Sequence, residues 1–294
     1  MNYSMINRNL LVYFRDKTSV FFSLLSVIIV IALYVMFLAR IQVDSVLAVV
    51  GDGIKERDIS WMINSWILAG LLSIISVTST LSALNVMVQD KEKKIIKDFK
   101  SAPINFAIYP FSIIVSSCIV GILMNLVALG AFSAFIYLYT GHVFTALQYT
   151  KVLGLILFSV LMAATIMTFM VSCFSTNGAF SSASVIVGTL IGFLTGVYVP
   201  VGTLPEAVQT VIKLLPFGHV ASLFRKVLME NAINKVFDGA PLEIVSEYRR
   251  LYGVQYVIAG REVSFYISFL YAMILTIIFI ALFILNFNRK RKEI

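Results

Sequence analysis

Charged residues are scarce in this chain and are absent from long stretches of it. Only 13% of the 294 residues are Asp, Glu, Lys or Arg, whereas 60% are hydrophobic, and the mean hydropathy is +0.94. A soluble domain carries about 25% charged residues. The composition therefore excludes an ordinary soluble domain and predicts an all-α integral membrane protein.

The gaps between charged residues predict where the chain crosses the membrane. Five windows contain no Asp, Glu, Lys or Arg: 18–39, 59–89, 101–150, 152–205 and 263–288. A spanning helix needs about 20 apolar residues, so the short windows hold one helix each and the long windows have room for more. We predict six transmembrane helices within one transmembrane domain, 1–294: 19–39, 62–86, 107–138, 150–174, 183–199 and 265–287.

Six spans place both termini on the same side of the membrane. The N-terminal segment, the loop after the second span and the C-terminal tail together hold twelve basic and five acidic residues, which is seven of the eight net positive charges. By the positive-inside rule, both termini are predicted to be cytoplasmic in the cell membrane. The charge reflects topology, so no nucleic-acid partner is predicted.

The predicted spans also lack the groups that ion-coupled carriers and enzymes use. Carriers place carboxylates or basic residues inside the membrane, and none occurs in the six spans except Lys151 at the start of the fourth. The only histidines, His142 and His219, have no Cys or carboxylate nearby at metal-ligand spacing, so no metal site is predicted. No GxxxxGK[ST] or HExxH motif occurs. We expect no catalytic residue here, and any ATP would bind to another chain.

Two segments on the predicted cytoplasmic side are amphipathic. In segment 1–18 the apolar residues are spaced as on one helix face: Ile6, Leu10, Tyr13 and Phe14. This favours a helix lying in the plane of the membrane over a cytoplasmic extension of the first span. In loop 88–104, Ile95, Ile96 and Phe99 share one face of a short helix that ends before Pro103. The loop is either an apolar knob for a partner's groove or an ordinary solvated loop.

Two spans carry small or hydroxylated residues at helical spacing. In span five these residues are Ser184, Gly188, Gly192 and Gly196. Such a stripe lets another helix approach closely, either within the bundle or at a dimer or pathway face. In span two the residues are Ser73, Ser76 and Thr80. Their hydroxyls either bond back to their own helix or line a cavity.

Prolines interrupt the chain after span five and define an external segment, 200–262. Pro200 ends the span, Thr203 and Glu206 match a capping box, and Pro216 ends a helix predicted over 204–215. At about 1.5 Å per residue this helix is too short to cross a bilayer. We therefore predict short broken or re-entrant helices between spans five and six.

Together these features resemble the permease subunit of type-2 ATP-binding-cassette exporters, the class that includes multidrug and antibiotic-resistance permeases. The family's proline pattern appears as Gly196, Pro200, Leu204-Pro205 and Leu215-Pro216. Its cytosolic coupling loop appears as Asp90, Glu92, Ile95, Ile96, Phe99 and Pro103. Arg15-Asp16 matches the end of its connecting helix, and Arg225 stands where members often have an arginine. This chain departs from the pattern at Lys94-Ile95, where members commonly have Gly-Thr.

The resemblance implies a mechanism and a set of partners. Two permease copies, identical or related, would sit on two ATPase subunits that bind ATP and Mg. Loop 88–104 and the N-terminal helix would seat in the ATPases, spans two and five would line the exit route at the dimer interface, and the proline-broken segment would act as an outer gate. The cargo would be a hydrophobic or amphiphilic drug, toxin or antimicrobial peptide.

Two alternatives remain open from the sequence. The same fold could export a lipid-linked polysaccharide, although spans two and five are poor in the aromatic residues that line sugar paths. A carrier driven by an ion gradient would need no ATPase, and it would transport on a proton or sodium gradient alone.

Overall fold

A computed structural model describes residues 3–18, 20–21, 39–50, 54–101, 108–258 and 260–293. The predicted first span at 19–39 lies almost entirely outside these residues, as does Pro103. The helices, numbered along the described chain, are α1 Tyr3–Arg15, α2 Ala39–Val50, α3 Glu56–Ala83, α4 Asn85–Glu92, α5 Ile95–Ser101, α6 Ile108–Thr140, α7 Ala146–Ser172, α8 Asn177–Leu194, α9 Glu206–Leu214, α10 Pro216–Leu228, α11 Glu230–Val236, α12 Leu242–Leu251 and α13 Phe265–Glu293. A 3₁₀ turn, Val201–Thr203, and an antiparallel hairpin, Val257–Ile258 with Arg261–Glu262, complete the described elements.

The chain is an all-α membrane protein, as predicted. Within the described residues five helical segments are long and apolar enough to cross a membrane: α3 with α4, α6, α7, α8 and α13. The count becomes six if the bent pair α9 and α10 is taken as one span. The predicted spans over 62–86, 107–138, 150–174 and 265–287 each fall on one of these helices.

Helix α3 forms the centre of the bundle. It is apolar on every side, and a helix of that kind must be surrounded by protein or lipid. Helices α2, α6, α7, α8, α10 and α11 pack around it, and nearly all of its side chains are buried. The side chain of Trp66 on this helix is fully buried.

The fifth span is displaced towards the N-terminus relative to its predicted bounds of 183–199. Thr176 begins α8 by accepting a hydrogen bond from the Ala179 N–H at 3.4 Å. Gly196 ends it, with φ of +65°, because the Val197 N–H bonds to Gly192 O at 2.9 Å in a Schellman turn. Gly196 therefore belongs to the cap of the helix and lies outside the small-residue stripe.

The proline-broken segment is present, but the predicted capping box is wrong. Thr203 ends the 3₁₀ turn and donates its hydroxyl to Pro200 O at 2.8 Å, so it cannot cap the next helix. Pro205 is the N-cap of α9. Helices α9 and α10 are bent by 87°, with Pro216 as the first residue of α10, a position where its missing N–H costs nothing.

Residues 201–262, which we call the cap, are fastened onto the end of the bundle by side-chain to backbone hydrogen bonds. The indole N–H of Trp66 donates to Tyr252 O at 2.9 Å. Within the cap, Ser222 Oγ donates to Val254 O at 2.9 Å. The rest of the cap after α9 contains the helices α10, α11 and α12.

Candidate functional site: the coupling region and the permease interior

Helix α1 is held against the segment 85–101 by an ion pair. We call α1 and 85–101 together the coupling region. Arg8 donates two hydrogen bonds to the Asp90 carboxylate, Nη1 to Oδ2 at 2.6 Å and Nη2 to Oδ1 at 2.5 Å. Asp90 is only 1% exposed. The hydrogen bonds to Asp90 raise the pKa of the Arg8 guanidinium, so Arg8 stays charged.

Neighbouring polar groups complete this contact. The Tyr109 hydroxyl, at the start of α6, donates to Asp90 Oδ2 at 3.1 Å. Asn9 Nδ2 donates to Ser112 Oγ at 3.3 Å. A buried carboxylate needs a charged partner and further hydrogen bonds, and Asp90 has both. Its role in this structure is to join α1, α4 and α6, with its carboxylate directed inward.

Lys91 joins the same segment to the end of another span. Its ammonium group donates to three backbone carbonyls around the C-terminus of α7: Ser172 O at 2.8 Å, Phe174 O at 3.0 Å and Val171 O at 3.4 Å. The last carbonyls of a helix carry partial negative charge and have no intrahelical partner. Lys91 therefore donates hydrogen bonds to these carbonyls and places a positive charge at the negative end of α7.

Glu92 joins the segment to the beginning of α8. Its carboxylate accepts hydrogen bonds from the Asn177 side-chain amide and from the Asn177 backbone N–H, the latter at 3.4 Å. Asn177 is the first residue of α8, and a carboxylate is favourable at the positive end of a helix. Three consecutive charged residues, 90–92, thus bind three different parts of the bundle.

The expected apolar knob differs from what the structure shows. Ile95, Ile96 and Phe99 are all half-buried, and Ile96 and Phe99 pack against the chain's own core. The Phe99 ring lies 5.5 Å from the Tyr109 ring and 5.7 Å from the Arg8 guanidinium. The reason is that Arg8 of α1 and Tyr109 of α6 lie against Phe99, which the sequence pattern of the loop did not reveal.

The surface that this segment presents outward is charged. Lys93, Lys94, Lys97 and Asp98 are exposed. Lys94 adopts φ of +61°, the left-handed conformation that glycine adopts most readily. It occupies the turn between α4 and α5, at the position where the family pattern commonly has glycine. Arg15 and Asp16 lie at the end of α1, Arg15 exposed and Asp16 half-buried.

The hydroxyl stripe of span two lies inside the bundle. Ser73, Ser76 and Thr80 are all buried, and each donates to the carbonyl four residues earlier, at 3.4, 2.8 and 2.7 Å. Asn125 of α6 donates to Ser76 Oγ at 3.2 Å. These hydroxyls bond back to their own helix, so in this conformation they do not form an outward face.

The small-residue stripe of span five divides into an open part and a filled part. The side chain of Tyr198 covers Gly192, and any Cβ there would overlap the tyrosine ring. A Cβ on Gly188 would meet no other described atom within 4 Å. Around Ser184 and Gly188 the helix is apolar and exposed, with Val185 at 69% and Ile186 at 59%.

Arg225 is the centre of the junction between α8 and the cap. It is fully buried, lies 5.4 Å from the Trp66 ring, and donates through Nη2 to Thr195 O at 2.7 Å and Gly196 O at 2.8 Å. The guanidinium therefore binds the carbonyl end of α8, where a cation is favourable. Of the predicted gate residues, Pro200 and Pro216 are buried nearby, Leu204 and Leu215 are half-buried, and Pro205 is exposed.

The two histidines have packing partners at the cap end. His142 Nε2 lies 2.7 Å from Asp58 Oδ1, and its ring stacks on Trp61 at 4.4 Å. His219 is buried, with Nε2 2.8 Å from Lys213 O. Asp58 also pairs with Lys235 at 3.0 Å.

The structure brings Asp90 and Phe99 together with α1, and it brings Gly196 together with Arg225. It does not bring the hydroxyl stripe to the exposed face of α8. Sequence reasoning missed Arg8, Lys91 and Tyr109. A basic residue within an amphipathic helix and a lysine between two acids were the only signals for them.

A bundle of long apolar helices with a charged segment fastened across one end defines a multi-pass membrane protein. Residues 55–287 match the family described as ABC-2 family transporter protein. The chain belongs to the ABC-2 transporter family, which confirms the resemblance to type-2 permeases. It is therefore a membrane subunit of a transporter and not the catalytic subunit, and the family implies an ATP-binding-cassette ATPase as its partner. No curated protein matches the chain.

Proposed function

We propose that this chain is the permease of an exporter that moves a hydrophobic or amphiphilic compound, such as a drug, toxin or antimicrobial peptide, out of the cell. Two permease copies, identical or related, would assemble on two ATPase subunits that bind ATP and Mg. Both termini would lie in the cytoplasm and the cap would lie outside the cell membrane.

The observation that carries this proposal is the set of contacts made by residues 90–92. Asp90 binds α1, Lys91 binds the end of α7, and Glu92 binds the start of α8. A displacement of the exposed turn at Lys93 and Lys94 would therefore act on three elements at once. Such an arrangement suits the transmission of ATP-driven motion from a partner into the bundle.

The interior supports an apolar cargo. Four spanning segments contain no charged residue: 59–89 in α3 and α4, 108–140 in α6, 177–194 in α8 and 265–287 in α13. An ion or a highly polar solute would find no charged partner along these spans. An apolar compound needs no such partners.

The burial of the coupling-region side chains supports a revised proposal for the residues that touch the ATPase. Asp90, Ile96 and Phe99 face inward, so the exposed charges Lys97 and Asp98 are better candidates for direct contact. We propose that this exposed surface seats in the ATPase, with Glu92, Ile95, Arg15 and Asp16 at its edge.

The experiment is transport by the complex purified from its native membrane and reconstituted in vesicles. Wild-type complex should contain a stoichiometric chain with a phosphate-binding loop and should move a fluorescent amphiphile only with ATP. The double charge reversal Lys97→Glu with Asp98→Lys should release that chain, whereas Arg57→Glu, an exposed charge at the opposite end, should retain it. Transport on a proton or sodium gradient without ATP would contradict the proposal.

A further inference from the structure

A cavity of about 460 Å³ opens between the cap and the ends of two spans. We call it the cap cavity. Its lining includes Lys151 of α7, Lys226 of α10, Glu230 of α11, Arg249 of α12, and Phe265 and Tyr266 of α13. Four polar side chains from four helices therefore meet at one concave site, and the volume is within the range of small-molecule and headgroup sites.

The charge of the cap cavity is positive. Three cations face one carboxylate, and among the described residues none of the three makes an ion pair within 4 Å with Glu230. Glu262, the other acid near Lys226, lies in the adjoining cavity and pairs with Arg250 at 3.4 Å. Among the described residues, the lining of this cavity therefore carries an excess of positive charge.

Two of the cations, Lys226 and Arg249, are partly buried. Lys226 Nζ donates to Val263 O at 2.8 Å, which leaves it further protons to donate. The Nε of Arg249 is buried and has no hydrogen-bond partner within the described part of the chain. A buried donor without an acceptor is uncommon in a folded protein, and an acceptor atom on a bound ligand would satisfy this one.

The cap cavity lies at the level of a membrane surface. Lys151 is in the first turns of α7, and Phe265 and Tyr266 begin α13, so the apolar lengths of both spans start here. Tyr266 is 80% exposed. Exposed tyrosine at the end of a span marks the headgroup region of a bilayer, where lipid phosphates are located.

We propose that the cap cavity binds the phosphate of an anionic phospholipid in the leaflet on the cap side. Lys151, Lys226 and Arg249 would donate to the phosphate oxygens, and Phe265 and Tyr266 would contact the glycerol and the first acyl carbons. The assignment does not depend on the proposed transport function, because it concerns the cap and the ends of α7 and α13.

The test is native mass spectrometry of the full chain in a non-ionic detergent, with dioleoylphosphatidylglycerol or dioleoylphosphatidylcholine added. The wild type should retain the anionic lipid in preference to the zwitterionic lipid. Lys151→Gln and Arg249→Gln should each weaken that binding by about fivefold or more, since each removes a charge-assisted contact. Arg57→Gln, an exposed charge outside the cavity, should leave it unchanged.

Thermal unfolding of each variant distinguishes loss of lipid binding from loss of the fold. Lys151 is exposed and Arg249 is partly buried, so Lys151→Gln disturbs the fold less than Arg249→Gln. Equal retention of both lipids by the wild type would overturn the proposal. So would equal weakening by Arg57→Gln and Lys151→Gln. Binding of inorganic phosphate or glycerol 3-phosphate with no preference between the lipids would assign the cavity to a soluble anion instead.

Discussion

The guanidinium of Arg8 and the carboxylate of Asp90 form a two-point ion pair between residues 82 positions apart. Arg8 is partly exposed and Asp90 is buried. The pair therefore fastens a surface helix to a buried anchor, and α1 moves with the segment that carries the proposed ATPase contact.

Arg8→Gln should release α1 from the bundle. It would leave the buried Asp90 carboxylate with Tyr109 as its remaining partner among those described above, at a cost of about 3 kcal/mol for removing one member of a buried pair. Proteolysis within 3–15 should become faster and the thermal midpoint should fall. Lys17→Gln, an exposed charge just after α1, is the control, and equal effects of both variants would show that the ion pair is not the cause.

Lys91→Met should destabilise the junction between α4 and α7, although it keeps most of the side-chain volume. It removes a cation from the end of α7, worth about 1 kcal/mol, so the thermal midpoint should fall by about 2–4 °C. Lys93→Met, two positions away and exposed, should have little effect. A larger effect at Lys93 would contradict the assigned role of Lys91.

Lys94→Gly should stabilise the coupling region or leave it unchanged. A residue with a side chain pays about 1–2 kcal/mol to adopt the left-handed conformation, and glycine does not. Lys94→Ala keeps the strain and removes the charge, so it is the matched control. We expect a higher thermal midpoint for Lys94→Gly than for Lys94→Ala. The reverse order would show that Lys94 does not adopt the left-handed conformation.

Arg225→Met should separate the end of α8 from the cap. The Thr195 and Gly196 carbonyls would lose a charged donor inside the protein, which costs about 1–3 kcal/mol. Arg225→Lys should recover only part of this, since a single ammonium cannot reproduce the planar contact with Trp66. The measurement is the thermal midpoint together with trypsin cleavage in 201–262. Wild-type stability in Arg225→Lys would contradict a role for the planar contact with Trp66 and leave only the positive charge as the cause.

Gly188→Leu should leave the fold of the single chain intact and prevent pairing of two permease copies through α8. A leucine there meets open space among the described residues but would obstruct a helix packed against this face. Gly130→Leu, also open and on α6, is the matched control. Size-exclusion chromatography with light scattering reads the outcome, and a dimer in both variants would move the interface elsewhere.

Much of the architecture could be predicted from local properties of the chain. Charge-free windows predicted the spans because a charged side chain is costly in hydrocarbon wherever it occurs. Pro200 and Pro216 predicted the breaks because proline lacks an N–H and restricts its neighbour. The bounds of the fifth span moved because Gly196 adopts positive φ, and a glycine in an apolar run gives no sign of its conformation.

The sequence by itself determined that this is an all-α membrane protein with basic clusters outside its long apolar runs, a proline-interrupted segment after span five and an ABC-2 pattern, since these depend on residue type and spacing. Only the tertiary structure decided that Asp90, Lys91 and Glu92 bind three different elements, that Phe99 faces Arg8, and that Lys151, Lys226 and Arg249 line one cavity. Those contacts join residues far apart in the chain, and the packing of whole helices determines which of them meet.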